Sequence, residues 1–270
     1  MGRRMFGLGK KRVTVPDGFE PMGQFSPQDI FIVGYPKSGN SWFQNLVAGI
    51  AFGVNPEFSP RVLVQDLVPD VHFLPFYRRY ATPMFFKSHF LPQPGYRRVV
   101  YLLRDGRDAM VSYFRHRQAI AGESIDFLDM VRNGTGLFPG KWHEHVEAWK
   151  SNPHGAEMIV IRYEQLKRSP VAALGEFCKF AGLERTQEFL QATVDASSFE
   201  KMRRKEVDMG PVNPEWPRDK FFIRRGEVGS YRDEMAPEIL EAFLQDAGAT
   251  LRAHGYLDDA RAGGENVSRE

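Results

Sequence analysis

The feature that most constrains this chain is a short apolar run followed at once by a glycine-containing loop and an apolar-periodic segment. The run covers residues 29–33, the loop reads Gly-Tyr-Pro-Lys-Ser-Gly-Asn-Ser-Trp over residues 34–42, and Trp42, Leu46 and Ile50 recur at helical spacing. This order predicts a strand, a tight loop and a helix start. The first turn of a helix presents unpaired N–H groups and the positive end of a dipole. The loop is therefore predicted to hold a phosphate, and the chain to handle a nucleotide.

The two loop glycines, Gly34 and Gly39, have the spacing of a Walker A loop, G-x-x-x-x-G-K-[ST], but the lysine after the second glycine is missing. Asn40 stands there, and Lys37 lies inside the loop instead. A kinase needs its lysine on the β- and γ-phosphates and a Ser or Thr on Mg²⁺. The displaced lysine argues against ordinary ATP chemistry. An ATP-dependent small-molecule kinase on a degenerate P-loop and a non-catalytic nucleotide-binding protein remain the alternatives.

Further polar residues come directly after two other predicted strands. Arg104 leaves a strand at its carboxyl end, and Ser112 lies two turns into the next helix, so the pair is placed to clamp a second phosphate group. Lys87 and His89 lie at the end of another strand, and a histidine there can take a proton from a hydroxyl at neutral pH. Taken alone, Arg104 could equally belong to a surface Arg-Asp network that caps a helix, and a histidine taken alone is more often structural than catalytic.

Several of these segments resemble one enzyme family. Residues 35–42 resemble the 5′-phosphosulfate-binding loop of the cytosolic-type sulfotransferases, with Asn40 and Ser41 where that family usually has two threonines. Residues 86–89, Phe-Lys-Ser-His, are similar to the family's Lys-Thr-His motif, whose histidine is the general base. Residues 222–231 are similar to its Arg-Lys-Gly-x-x-Gly-Asp-Trp segment, with Ser-Tyr in place of Asp-Trp.

The resemblance spans roughly residues 30–256 and implies in-line transfer of a sulfuryl group from 3′-phosphoadenosine 5′-phosphosulfate (PAPS). The implied acceptor is a hydroxyl, or less often an amine, of a small molecule, lipid or sugar, and the implied product is adenosine 3′,5′-bisphosphate (PAP). The implied catalytic residues are His89 as general base, Lys37 and Lys87. The implied donor-binding residues are Lys37, Ser38, Gly39, Asn40, Ser41, Trp42, Arg104, Ser112, Tyr163, Ser197, Phe199, Arg224, Arg225 and Gly226. No metal is expected, since a sulfate ester carries less charge than a triphosphate.

Alternating strands and helices predict one α/β domain of the P-loop nucleotide-binding type, with a central parallel sheet flanked by helices on both faces. The strand-like runs are near-continuously apolar, as in strands buried on both faces of a sheet. The predicted strands lie at 30–34, 84–88, 98–103 and 158–162, and the predicted helices near 42–52, 106–120, 141–150, 170–181, 186–195 and 236–254.

The predicted division of the chain is an N-terminal tail at 1–25, a domain that resembles the sulfotransferases at 26–258 and a C-terminal tail at 259–270. The Pro- and Gly-rich stretch 203–222 predicts a long functional loop. Together with 60–82 and 117–140, it is expected to line the acceptor side.

The composition sets the remaining expectations. A net charge of +2 is too small to indicate nucleic-acid binding. No apolar stretch approaches the length of a membrane span, and the basic N-terminus lacks the apolar core of a signal peptide. The single cysteine, Cys178, fits a reducing cytoplasm. The dimer segment of animal cytosolic sulfotransferases, Lys-x-x-x-Thr-Val-x-x-x-Glu, is missing after Gly229, so the oligomeric state stays open.

Overall fold

The fold, taken from a computed structural model, is described for residues 14–121, 125–210, 216–217 and 220–258. The strands are β1 (Glu20–Pro21), β2 (Ile30–Gly34), β3 (Phe76–Tyr77), β4 (Phe85–Ser88), β5 (Arg98–Leu103) and β6 (Glu157–Arg162). Four of them form a parallel sheet in the order β4-β2-β5-β6, and β1 pairs with β3 in a separate antiparallel ladder. The predicted central parallel sheet is confirmed.

Helices cover both faces of this sheet. They are α1 (Asn40–Phe52), α2 (Arg61–Leu67), α3 (Gly106–Ala121), α4 (Phe127–Asn133), α5 (Trp142–Ser151), α6 (Tyr163–Arg168), α7 (Pro170–Ala181), α8 (Gln187–Ala196), α9 (Phe199–Met209), α10 (Tyr231–Glu234) and α11 (Pro237–Ala253). Because side chains alternate along a strand, Ile30 and Ile32 of β2 pack with α1 and α7, whereas Phe31 and Val33 pack with α3, α5 and α11. Two apolar cores therefore sandwich the sheet.

The carboxyl ends of the four parallel strands meet at one edge of the sheet. The chain that leaves each strand emerges there: the loop 35–39 after β2, His89 after β4, Arg104 after β5 and Tyr163 after β6. Open α/β sheets bind ligands at this edge. The topology alone thus brings several of the predicted site residues to one side of the molecule.

Predicted and observed elements agree closely where the apolar pattern is long. The largest shift among them is at α1, which begins at Asn40 instead of residue 42. The loop predicted over 203–222 is wrong in its first part, because α9 continues to Met209. Ser198 caps that helix by accepting a hydrogen bond from the Lys201 N–H at 3.3 Å. Residues 211–215 and 218–219 of the predicted loop lie outside the described residues.

The end of the predicted N-terminal tail lies against the sheet. Its residues 20–21 form β1, and the ring of Phe25 meets Phe31 edge-to-face, with 4.8 Å between ring centroids. In the part of the chain that the structure describes, no helix is both long and apolar enough to cross a membrane.

Gly106, the first residue of α3, is pressed against a buried ring and generates a stability prediction. A Cβ atom at Gly106 would lie 2.4 Å from Cδ2 of Trp142, a side chain that is only 1% exposed. We expect Gly106→Ala to lower the free energy of unfolding by roughly 2 kcal/mol or more, through overpacking. Gly175→Ala in α7 is the matched control, since no atom lies within 4 Å of its Cβ position. The control should raise stability by about 0.5–1 kcal/mol. Urea denaturation measures both, and equal effects would contradict this packing.

Candidate active site

The loop between β2 and α1 turns tightly and leads directly into the first turn of the helix. Lys37 and Gly39 have positive φ angles of 71° and 93°, and the Ser38 N–H donates to the Tyr35 carbonyl at 3.1 Å. The first bond into α1 runs from the Phe43 N–H to the Gly39 carbonyl at 2.9 Å, and no side chain caps this turn. The first N–H groups of α1 thus have no acceptor within the helix, which makes this terminus suited to an anion.

Two buried donor atoms point to the same conclusion. Among the described residues, Oγ of Ser38 and Nε of Arg104 have no hydrogen-bond partner. A buried donor left unpaired costs about 1–3 kcal/mol, which an anionic ligand would recover. The backbone at Gly39 is also enclosed, because a Cβ atom there would lie 2.8 Å from Cδ2 of Tyr163. Position 39 therefore requires glycine because Tyr163 packs on it, and the two unpaired donor atoms favour an anion at this loop.

Arg104 ties this loop to two other segments. Its guanidinium donates to the carbonyls of Lys37 at 2.9 Å and Glu227 at 3.0 Å, and it lies 4.3 Å over the ring of Tyr163. The carboxylate of Asp108 is 4.0 Å away. The phosphate loop, the start of α6 and the segment around residue 227 are fixed together by one buried cation.

The residues expected around the nucleoside converge beside Arg104. The indole Nε1 of Trp42 donates to the Ser197 carbonyl at 3.0 Å, and its ring meets Tyr163 at 6.2 Å in an edge-to-face contact. Gly226 has a φ of 64°, and a Cβ atom on it would lie 3.1 Å from Cδ2 of Phe199. These five residues line one surface next to the loop.

The second predicted phosphate site is only partly assembled around Arg104. Arg224 and Arg225 both contact Glu234, with Nη1 atoms 2.8 Å and 3.2 Å from its carboxylate oxygens, and Arg115 reaches the same carboxylate at 3.2 Å. Ser112 lies one turn before Arg115 on α3 and is half-buried. Ser41 is likewise half-buried, in the first turn of α1. The sequence motifs include neither Arg115 nor Glu234. The spacing of Ser112 and Arg115 on one helix face could have indicated Arg115.

His89 is held in a form that can accept a proton. Its Nδ1 lies 2.8 Å from the Gly34 carbonyl, so Nδ1 carries the hydrogen and Nε2 is the free, unprotonated nitrogen. The Asn40 amide donates to the carbonyls of Gly34 and Tyr35, so Asn40 and His89 share the Gly34 carbonyl as an acceptor at the start of the phosphate loop. Burial, followed by the charge of Lys87, lowers the pKa of His89 well below its usual 6.5. The ring is therefore neutral at physiological pH.

Lys87 is paired with a residue that the motifs do not contain. Its Nζ lies 2.5 Å from the buried carboxylate of Asp70. The predicted role of Lys87 beside the transferred sulfuryl group stays a prediction. The other oxygen of Asp70 accepts the backbone N–H of His72 at 3.0 Å, and Nε2 of His72 accepts the backbone N–H of His89 at 2.8 Å. Sequence analysis missed Asp70 and His72. Asp70 and His72 are two residues apart, as are Lys87 and His89, and the backbones of Asp70 and Lys87 form a parallel β-bridge.

Aromatic rings adjoin this pair of histidines. The ring of His72 lies 5.5 Å from His89 and 4.2 Å from Phe90, and Phe90 lies 5.9 Å from Phe138. Phe138 is 44% exposed, and Phe73 is also exposed. Two of the segments predicted to line the acceptor side, 60–82 and 117–140, thus carry exposed aromatic rings. One of these rings, that of Phe138, meets the ring of His72 edge-to-face, with 5.4 Å between ring centroids.

The sequence profile of the family described as "Sulfotransferase domain" matches residues 27–254 of this chain. The chain belongs to that family. Rat sulfotransferase 2A1 is 26% identical over 237 residues, covering 80% of this chain and 82% of the relative. Human sulfotransferase 1C2 is 24% identical over 240 residues, covering 80% of this chain and 81% of the relative.

Solved structures confirm the sulfotransferase fold. A mouse sulfotransferase complexed with PAP aligns with a TM-score of 0.62 and 21% identity, covering 86% of this chain and 90% of that chain. Retinol dehydratase in complex with androsterone and PAP aligns with a TM-score of 0.64 and 20% identity, covering 85% and 82%. The predicted family and α/β fold are therefore confirmed, whereas the roles of individual residues stay predictions.

Lys37 generates a prediction about pH. Its Nζ lies 4.0 Å over the ring of Phe222, and burial, followed by the charges of Arg104, Lys87 and Arg224, lowers its pKa to about 7. An anion bound beside Nζ raises that pKa again, so binding takes up a proton. Affinity for PAP should be greatest below pH 7 and fall as pH rises above 7, by up to about tenfold per unit.

Isothermal titration with PAP between about pH 6 and about pH 9, in buffers of different ionisation heat, measures both the affinity and the proton uptake. Lys37→Arg is the matched control because a guanidinium stays charged across this range. The same pH profile in both proteins would contradict the assignment to Lys37.

Proposed function

We propose that this chain, as a member of the sulfotransferase family, transfers the sulfuryl group of PAPS to a hydroxyl, or less often an amine, of a small-molecule, lipid or sugar acceptor. The observation that carries the proposal is that a neutral imidazole with a free Nε2 lies at the same sheet edge as an anion-binding loop. His89 and the loop are joined through the Gly34 carbonyl, which accepts from His89 Nδ1 and from the Asn40 amide. A nucleotide-binding protein without catalysis would not need this arrangement.

The residues fit the donor. Ser38 and Arg104 offer buried donor atoms that have no partner among the described residues, and Gly39 and Gly226 let Tyr163 and Phe199 pack closely on the backbone beside them. Two solved relatives carry PAP. We assign the 5′-phosphate to the residues of the loop, Lys37, Ser38, Gly39, Asn40 and Ser41. We assign the 3′-phosphate to a basic group made of Arg104, Ser112, Arg224, Arg225 and Gly226. We assign the adenine to a largely aromatic group made of Trp42, Tyr163, Ser197 and Phe199.

The donor, when bound, supplies the sulfuryl group and a bisphosphate leaving group. His89 Nε2 accepts the proton of the acceptor hydroxyl while the new oxygen–sulfur bond forms and the bond from sulfur to the phosphate oxygen breaks. The Gly34 carbonyl on Nδ1 stabilises the resulting imidazolium. Lys37 and the N–H groups of α1 stabilise the charge that develops on the leaving phosphate. Burial, followed by the charge of Lys87, which Asp70 holds in place, keeps the pKa of His89 low and the unprotonated ring favoured before reaction.

The acceptor class is inferred from the aromatic surface beside His89. The rings of Phe73, Phe90 and Phe138 favour an acceptor whose hydroxyl is carried on an apolar or aromatic body. Retinol dehydratase has been solved with androsterone and with retinol. Among the described residues, no group of three or more His, Cys, Asp or Glu side chains could hold a metal. Metal independence and a cytoplasmic location stay predictions, and the oligomeric state stays open.

Replacing His89 should separate catalysis from donor binding. We expect His89→Asn to lower turnover by at least about 100-fold, because the general base is lost, while the affinity for PAP changes less than about threefold. Transfer of labelled sulfate from PAPS to a pool of phenols and alcohols measures the first, and isothermal titration measures the second. His154→Asn, at an exposed position, is the control. Full activity in the His89→Asn variant would contradict the role of His89 as general base.

The kinase alternative makes the opposite prediction about nucleotides. A sulfotransferase site should bind PAP at least about tenfold more tightly than ADP, because charge-assisted hydrogen bonds to the 3′-phosphate are lost with ADP. Titration of both nucleotides with and without Mg²⁺ measures the difference. A preference for ADP that requires Mg²⁺ would contradict the proposed function and support a kinase on a degenerate P-loop.

A further inference from the structure

Three guanidinium groups converge on one carboxylate at the far end of the proposed donor site. Glu234 accepts from Arg224 at 2.8 Å, from Arg225 at 3.2 Å and from Arg115 at 3.2 Å. The side chain of Glu234 is only 10% exposed, while those of Arg224 and Arg225 are 36% and 43% exposed. The arginines therefore remain open to a ligand on one side and are held by a protein carboxylate on the other.

The fold sets the position of Glu234 without help from these arginines. Asp108 of α3 accepts hydrogen bonds from the N–H groups of Gly229 at 2.7 Å and Tyr231 at 3.0 Å, and from the Ser230 hydroxyl at 3.3 Å. These bonds fix the start of α10 against α3. Glu234, at the end of this short helix, is thus anchored before any nucleotide binds.

We propose that Glu234 competes with the donor's 3′-phosphate for Arg224, Arg225 and Arg115, and so sets how tightly 3′-phosphorylated nucleotides are held and how fast they leave. This inference rests on the proposed function, because it assumes that Arg224 and Arg225 belong to the 3′-phosphate site. Glu234 is a residue that tunes specificity and does not touch the reacting atoms.

Charge is the physical basis of this competition. The cluster combines three cations with one carboxylate, whereas a phosphate monoester carries about −1.5 to −2 at neutral pH. Burial raises the pKa of Glu234, but the hydrogen bonds and charges of Arg224 and Arg115 outweigh it, so the pKa is lowered and the group is ionised. An ionised carboxylate both occupies N–H donors that the phosphate needs and repels the phosphate. The same repulsion speeds loss of the product, a step that limits turnover in many enzymes.

The test compares two nucleotides that differ only in the 3′-phosphate, PAP and adenosine 5′-monophosphate. We expect Glu234→Gln, which keeps length and one acceptor oxygen, to bind PAP roughly tenfold more tightly. Its affinity for adenosine 5′-monophosphate should change less than about twofold, since that ligand lacks the group that Glu234 repels. Glu227→Gln is the matched control, because Glu227 is exposed and meets Arg225 at 3.5 Å. It should change neither affinity by more than about twofold.

Weaker PAP binding in Glu234→Gln, or an equal change for both nucleotides, would overturn the inference and make Glu234 a purely structural residue. If the unchanged protein binds PAP no more tightly than adenosine 5′-monophosphate, the proposed 3′-phosphate site itself fails, which is a distinct result. Thermal unfolding checks that the variant is folded. If it is not, Glu234→Asp, which withdraws the carboxylate by one methylene, should strengthen PAP binding selectively but less, and no change would again overturn the inference.

Discussion

The buried guanidinium of Arg104 is the interaction that holds the site together. A buried cation is costly unless it is hydrogen-bonded and paired. Arg104 meets this requirement by donating to the carbonyls of Lys37 and Glu227, by stacking on Tyr163 and by lying near Asp108. Each partner comes from a different part of the chain. The phosphate loop, the start of α6 and the segment that leads to Arg224 are therefore assembled by one side chain before any ligand is bound.

Burial, together with positive charge crowded at one sheet edge, explains the protonation states. Burial, followed by the charges of Arg104, Lys87 and Arg224, lowers the pKa of Lys37, and burial, followed by the charge of Lys87, lowers the pKa of His89. A neutral His89 is the form that a general base requires, and a Lys37 that regains its proton with an anion suits a leaving-group site. Carboxylates moderate the excess: Asp70 holds Lys87, and we infer that Glu234 competes for the arginines at the other end. The cations at this sheet edge and the carboxylates that pair with some of them are thus arranged for an anionic ligand.

The sequence predicted the parts of the site that depend on local order, and missed those that depend on tertiary approach. Parallel strands bring their carboxyl ends to one edge, so Lys37, Arg104 and His89 could be predicted from their positions directly after apolar runs. Asp70, His72 and Glu234 lie in segments whose local patterns carry no such signal, and only the packed structure shows which groups they contact. The wrong loop assignment at 203–209 has the same origin, since nearby Pro and Gly residues masked a helix that begins with a Ser198 cap.

One sheet edge is proposed to receive both phosphates of a 3′-phosphorylated nucleotide beside a neutral histidine. A crystal structure of the protein with bound PAP tests this arrangement in full. We expect the 5′-phosphate on Lys37 and the N–H groups at the start of α1, the 3′-phosphate on Arg104, Ser112 and Arg224, and His89 Nε2 facing the 5′-phosphate side with no protein partner. A nucleotide bound with its 3′-phosphate in solvent, or with its 5′-phosphate away from residues 37–42, would contradict it.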